Sequence, residues 1–153
     1  MLVKMSEDLP EIRFKAIGTV HSEIKKRHRH NTEDVISEIV LDPALAEGLD
    51  DIEDFSHLIV IYFMHESRLP FPLKVQPRFR VEPGQVGVFA SRSPDRPNPL
   101  GKTIVKLLER RENILKVQGL DAIDGTPVID IKPYIPEIDA VKTARVPPWM
   151  KKK

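Results

Sequence analysis

What most limits the fold of this chain is an abundance of short strand-like segments with no long amphipathic helix to connect them. The segments 13–20 (RFKAIGTV), 35–41 (VISEIVL), 57–64 (HLIVIYFM), 75–81 (VQPRFRV), 85–90 (QVGVFA), 103–109 (TIVKLLE) and 114–120 (ILKVQGL) are rich in β-branched or aromatic residues and are separated by Pro, Gly, Asp or Asn. Parallel strands need crossover connections, usually helices, so the pattern predicts a sandwich or a barrel. The best helical stretch, 43–55 (PALAEGLDDIEDF), contains Gly48, which predicts two short turns rather than one helix. A length of 153 residues predicts one domain whose core needs no covalent staples.

The chain has no cysteine, which excludes a disulfide scaffold, a thiolate metal site and a cysteine nucleophile, and fits a reducing compartment. The longest apolar run, 58–64, is far too short to span a bilayer, and residues 1–10 lack the apolar centre of a secretion signal. A soluble, cytoplasmic protein is expected. The formal charge is only +1, but it is unevenly spread: residues 25–30 read KKRHRH and residues 151–153 are lysines. Either run is a solvated surface feature or a phosphate-contacting patch. None of the seven glycines falls into G-x-G-x-x-G or a Walker loop, so any nucleotide-like ligand is held without those backbone cradles. The histidines at 21, 28, 30, 57 and 65 lack zinc-ligand spacing, and no metal is expected. His57 and His65 flank the apolar 58–64 run, where an ordinary strand-end histidine is the simplest reading of each.

Two stretches are dense in chemistry. In 91–103 (SRSPDRPNPLGKT), Ser93, Arg96 and Asn98 each precede a proline and are steered away from helical backbone, which makes the loop stiff as well as cationic. In 120–136 (LDAIDGTPVIDIKPYIP), Asp124-Gly125 is a turn dipeptide leading into a strand. Period-two alternation puts Asp130, Lys132 and Tyr134 on one face of that strand. Such a face is either a solvent-exposed edge with a local salt bridge, or a cleft wall supplying a base, a carboxylate binder and an aromatic surface.

Taken together, GVFASRSPDRPNPLGKT (87–103) and DGTPVIDIKPYIP (124–136) closely resemble the paired signatures of the TrmO family of S-adenosylmethionine-dependent tRNA methyltransferases. IGTVHS (17–22) and GLDDIEDFSHLIVIYFMHES (48–67) match in the same order. The resemblance implies a mainly β protein, a single-sheeted β-barrel with short helical turns and no Rossmann domain, working as a homodimer. It implies methylation of the exocyclic N6 of N6-threonylcarbamoyladenosine, next to the anticodon of tRNA. It assigns His65, Glu66, Arg92, Lys102, Leu120, Asp121, Asp124, Gly125, Thr126 and Pro127 to the S-adenosyl-L-methionine pocket. Asp130, Lys132 and Tyr134 are expected to be catalytic, while Arg96, Asn98 and the basic Lys25, Lys26, Arg27 and Arg29 are expected to bind tRNA. Two departures stand out: KKRHRHN replaces a Pro-containing family segment, and Glu66 stands where many members carry an uncharged residue. The expected organisation is an N-terminal extension over 1–11, the barrel over 12–146 and a basic tail over 147–153, with Trp149 free to dock. The competing reading is a non-catalytic nucleic-acid or nucleotide-binding barrel, against which stand Asp121, Asp124 and Asp130, acidic groups a pure phosphate binder has no use for. A small-molecule methyltransferase or a carboxylate-based hydrolase is a third reading, with no nucleophile-base pair visible for hydrolysis.

Overall fold

The computed structural model describes residues 9–27, 31–77 and 84–150. Among these residues eight strands form: β1 (Gly18–His21), β2 (Ile36–Leu41), β3 (His57–Phe63), β4 (Lys74–Val75), β5 (Val86–Gly87), β6 (Leu100–Arg111), β7 (Ile114–Gln118) and β8 (Pro127–Pro133). Six of them close into a barrel in the order β1-β2-β7-β6-β3-β8, with every neighbouring pair antiparallel. The choice between sandwich and barrel is therefore settled by the β1–β8 pairing, which joins Gly18 to Val128 and leaves the sheet without a free edge. Strands β4 and β5 form a separate two-stranded ribbon.

Alternation explains the core. Leu58, Val60 and Tyr62 of β3 point inward with Val105, Leu115 and Val128, and all are buried. Residues of opposite parity form the outer face. There Ile59 stands between Lys132 and Ile104, and Ile61 between Asp130 and Lys102, in register across β8, β3 and β6. A bulge between Ile61 and Tyr62 re-aims the first half of β8.

Several elements differ from the sequence expectation. QVGVFA is not a buried strand: only Val86–Gly87 pairs, and Val88–Ala90 turns as a 3-10 helix that buries Val88 alone. Of RFKAIGTV only Gly18 onward is a strand, and of VQPRFRV only Val75 pairs, with 78–81 outside the described residues. In the other direction, β6 begins at Leu100, so the end of the Pro-rich segment is already sheet. The helical stretch does split into two 3-10 turns, Pro43–Leu49 and Ile52–Asp54, but at Asp51 rather than at Gly48. Asp51 takes the left-handed conformation (φ 61°), which a short polar side chain tolerates, while Asp42 caps the first turn by accepting from the Ala44 N–H. After β8 the chain makes one turn of helix, α1 (Pro136–Asp139), and then a 3-10 turn, Pro148–Met150.

Candidate active site

One side of the barrel carries a cleft of about 1310 Å³. Its walls include the strap after β1, the loop after β3, the Pro-rich loop before β6 and the 119–126 loop before β8, completed by β4, the start of β6 and the turn that carries Trp149. A shallower groove of about 300 Å³ beside β1 and β2 holds one titratable residue, Asp42, already committed as a cap.

The 119–126 wall is fastened from both sides. Tyr62, reaching up from the core, donates from its hydroxyl to the Asp121 carbonyl at 2.6 Å and shares a hydrogen bond with Thr103 at 3.0 Å. Burial pushes the Tyr62 phenol up; the bond to Thr103 opposes this, the Asp121 charge adds to it and the Arg92 charge opposes it, so the group stays neutral and donates. On the other side, the Asp124 carboxylate accepts from the Ser22 N–H at 2.9 Å and pairs with Lys25 at 3.0 Å. The Ser22 N–H bond, then Lys25, hold Asp124 below the usual carboxylate range. Gly125 follows with φ 78°, where a side chain would be strained.

The Pro-rich loop is stiffened by its arginines as much as by its prolines. Arg96 donates to the Ser91 and Ser93 carbonyls, and Arg92 donates to the Lys102 carbonyl at 3.0 Å, tying the loop to β6. Asp95 latches it to the other walls by accepting from the Arg68 N–H at 2.7 Å and pairing with Arg27 at 3.0 Å, while Arg27 also donates to the Glu66 carbonyl. Burial alone would raise Asp95, but the Arg27 and Arg68 hydrogen bonds and their charges outweigh it, and its pKa lies below the ordinary value.

Both depressed carboxylates give the same sign. Their contribution is fully present above the unfolded-state value of about 3.9 and is lost as pH falls through the lower folded values, so acid opens the latches. Asp95→Ala is expected to destabilise the fold by about 1.5–3 kcal/mol, the range for hydrogen bonds to a charged group, and to speed proteolysis of 91–98. Urea titrations at neutral pH and near pH 3, with protease digestion at each, check both the size and the loss of the difference in acid.

The expected site residues divide clearly by position. His65, Glu66, Arg92, Lys102, Asp121 and Thr126 line the cleft, as do Lys26, Arg27 and Arg96. Leu120, Asp124, Gly125 and Pro127 do not line it: Leu120 is core, and the others shape and anchor the wall behind it. Lys25 and Arg27 are paired within the chain, Asn98 lends its carbonyl to the Leu100 N–H, and Arg29 lies outside the described residues, as do residues 151–153. Asp130, Lys132 and Tyr134 are not among the lining residues. Asp130 and Lys132 form an ion pair of 2.8 Å on the outer face, where the hydrogen bond and charge of Asp130 push the Lys132 pKa up. The outer face adjoins the cleft, because Lys102, which lines it, is separated from Asp130 only by Ile61.

Sequence reasoning missed Tyr62, Gly101, Thr103 and Phe89 as parts of the site. The alternation within LIVIYFM marks Tyr62 as a core position, and a buried phenol always needs a partner, which was the available signal. Trp149 does dock: its turn lines the cleft. No cluster of three His, Asp or Glu suited to a metal occurs among the described residues, and no helix there is long and apolar enough to cross a membrane.

A closed antiparallel barrel with a basic, proline-stiffened loop over a large cleft defines a ligand-binding barrel, with no parallel nucleotide-binding sheet among the described residues. The particular kind follows from its relatives. The tRNA-methyltransferase O N-terminal domain model matches residues 19–140, and the chain belongs to that family. It is 40% identical over 144 residues to a probable S-adenosyl-L-methionine-binding protein of Pyrococcus abyssi, covering 91% of this chain and 76% of that one. It is 42% identical over 100 residues to a mouse tRNA (adenine(37)-N6)-methyltransferase, covering 65% of this chain and 23% of that one. The crystal structure of TrmO from Pseudomonas aeruginosa superposes with a TM-score of 0.75 at 30% identity, covering 92% of this chain. The chain spans only 62% of that TrmO chain.

Proposed function

We propose that the protein is an S-adenosylmethionine-dependent methyltransferase acting on the N6 of an adenine in tRNA, and that its substrate is N6-threonylcarbamoyladenosine beside the anticodon. The observation that carries the reading is the gathering of opposite charges around one cleft: Asp121 and Glu66 together with Arg92 and Lys102. That donor set suits a ligand with an ammonium, a carboxylate and a sulfonium, and it does not suit a ligand that is only phosphate. Bound there, S-adenosylmethionine supplies an activated methyl group. The chain's task is then to align the acceptor nitrogen with it and to receive that nitrogen's proton. Arg92 and Lys102 hold a carboxylate, Tyr62 fixes the backbone carrying Asp121, and Arg96 with Lys26 faces the RNA backbone.

Asp130, Lys132 and Tyr134 act on the acceptor base from across a homodimer interface. In support, the outer face that bears Asp130 and Lys132 also exposes Leu100 (41%), Ile104 (41%) and Phe63 (38%), an apolar strip beside the cleft suited to a second copy. Asp130, or a water it holds, receives the proton, and Lys132 pairs with the threonyl carboxylate. Such a reaction belongs to the cytoplasm, where tRNA is used. Calorimetry with S-adenosylmethionine and its demethylated product tests the reading: the folded protein binds both without added metal, and Asp121→Asn weakens both. A folded protein that binds neither overturns it.

A further inference from the structure

We infer that Phe89 is the stacking platform on which the acceptor adenine rests once it has left the RNA stack. The inference rests on the RNA-methyltransferase reading above and adds a residue that takes hold of the base itself.

Phe89 is 75% exposed while lining the cleft, yet the backbone that carries it is clamped on both sides. Val88, just before it, is buried and donates its N–H to the Leu73 carbonyl at 2.9 Å. Two residues later, Ser91 donates its hydroxyl to the Val88 carbonyl at 2.7 Å and its N–H to the same oxygen at 3.2 Å. A phenylalanine on a loose loop turns inward to escape water; here the turn is fixed by its neighbours and the ring is left at the lip of the cleft. It contributes little to the fold in that position and is already oriented for a flat partner.

Its surroundings say which partner. Lys26, Arg92, Arg96 and Lys102 line the same cleft, and an exposed ring set in a cationic groove is how proteins hold single-stranded nucleic acid. Of the other aromatic residues lining the cleft among those described, Tyr62 is buried and Trp149 half-buried, so Phe89 offers the most open ring. The cleft, about 1310 Å³, also exceeds the roughly 300–1,000 Å³ that a single small ligand fills, which leaves room for a base beside the methyl donor. A base extruded from its stack needs a substitute surface, and every base has a face that an aromatic ring can meet.

The test uses the full chain, an end-labelled anticodon stem–loop RNA, and the same RNA with the target adenine removed to leave an abasic site. Phe89→Leu keeps an apolar side chain at an exposed position; it should weaken RNA binding about 5- to 150-fold, the range for one base–aromatic stack. Phe89→Tyr should restore binding to near the wild-type level, and donor affinity by calorimetry should not move in either variant. The abasic RNA should lose a similar factor against the wild type and little more against Phe89→Leu, because one contact cannot be lost twice. Equal RNA binding by wild type and Phe89→Leu, or abasic and leucine penalties that multiply, overturns the inference. So does a Phe89→Leu protein that sediments as a smaller species, since the ring would then serve a protein contact. A wild-type protein that binds no donor sinks the methyltransferase reading instead, and it does so without reference to Phe89.

Discussion

Gly101→Ala lowers the stability of the barrel by about 1–3 kcal/mol, the usual cost of an overpacked core, and lowers donor affinity with it. A Cβ at Gly101 would overlap Cε2 and Cζ of the Tyr62 ring, which lies directly across the β3–β6 ladder. The ring cannot simply swing aside, because it is buried and its hydroxyl is held by Thr103 and the Asp121 carbonyl. Displacing it releases the cleft wall. For a chain of this size the melting temperature should fall by roughly 2–12 °C, read by calorimetric scanning. Adding Tyr62→Leu relieves the overlap and recovers part of that fall, but donor affinity stays low because the hydroxyl on Asp121 is gone. A double variant that regains both would show that Tyr62 only fills space.

The second large effect concerns Asp130. Asp130→Asn keeps the shape and removes the basicity, so single-turnover methyl transfer should slow by about 10²- to 10⁴-fold while donor binding is unchanged. If Asp130 acts across a two-fold interface, mixing inactive Asp130→Asn with inactive Asp121→Asn recovers roughly a quarter of wild-type activity, since half the dimers are mixed and each has one intact site. Ile104→Glu, at one end of the apolar strip, should abolish that recovery and shift sedimentation to the monomer. No recovery from a mixture shown to contain mixed dimers would place Asp130 at its own chain's site or at none.

How far the sequence reaches can be judged residue by residue. A sandwich or a barrel was legible as short strands without crossover helices; closure into a barrel depends on β1 meeting β8, a pairing of segments about a hundred residues apart that no local pattern reveals. QVGVFA misled because a run of apolar residues looks the same whether it is a strand or a turn with one buried valine and an outward phenylalanine. Arg27 was assigned to tRNA within a basic run, yet it pairs with Asp95 where three loops converge; composition records a cation where the structure has a neutralised latch. Asp130 and Lys132 were correctly given one face. Which face meets the substrate is a property of neighbouring strands that alternation within one strand does not contain.

The most direct measurement is mass spectrometry of the nucleosides of tRNA carrying the threonylcarbamoyl modification, incubated with this protein and S-adenosylmethionine labelled on its methyl group. The account predicts that N6-threonylcarbamoyladenosine gains one labelled methyl on the adenine N6, and that Asp121→Asn prevents it. Protein that is folded and binds the donor, but leaves that nucleoside unlabelled, would contradict it.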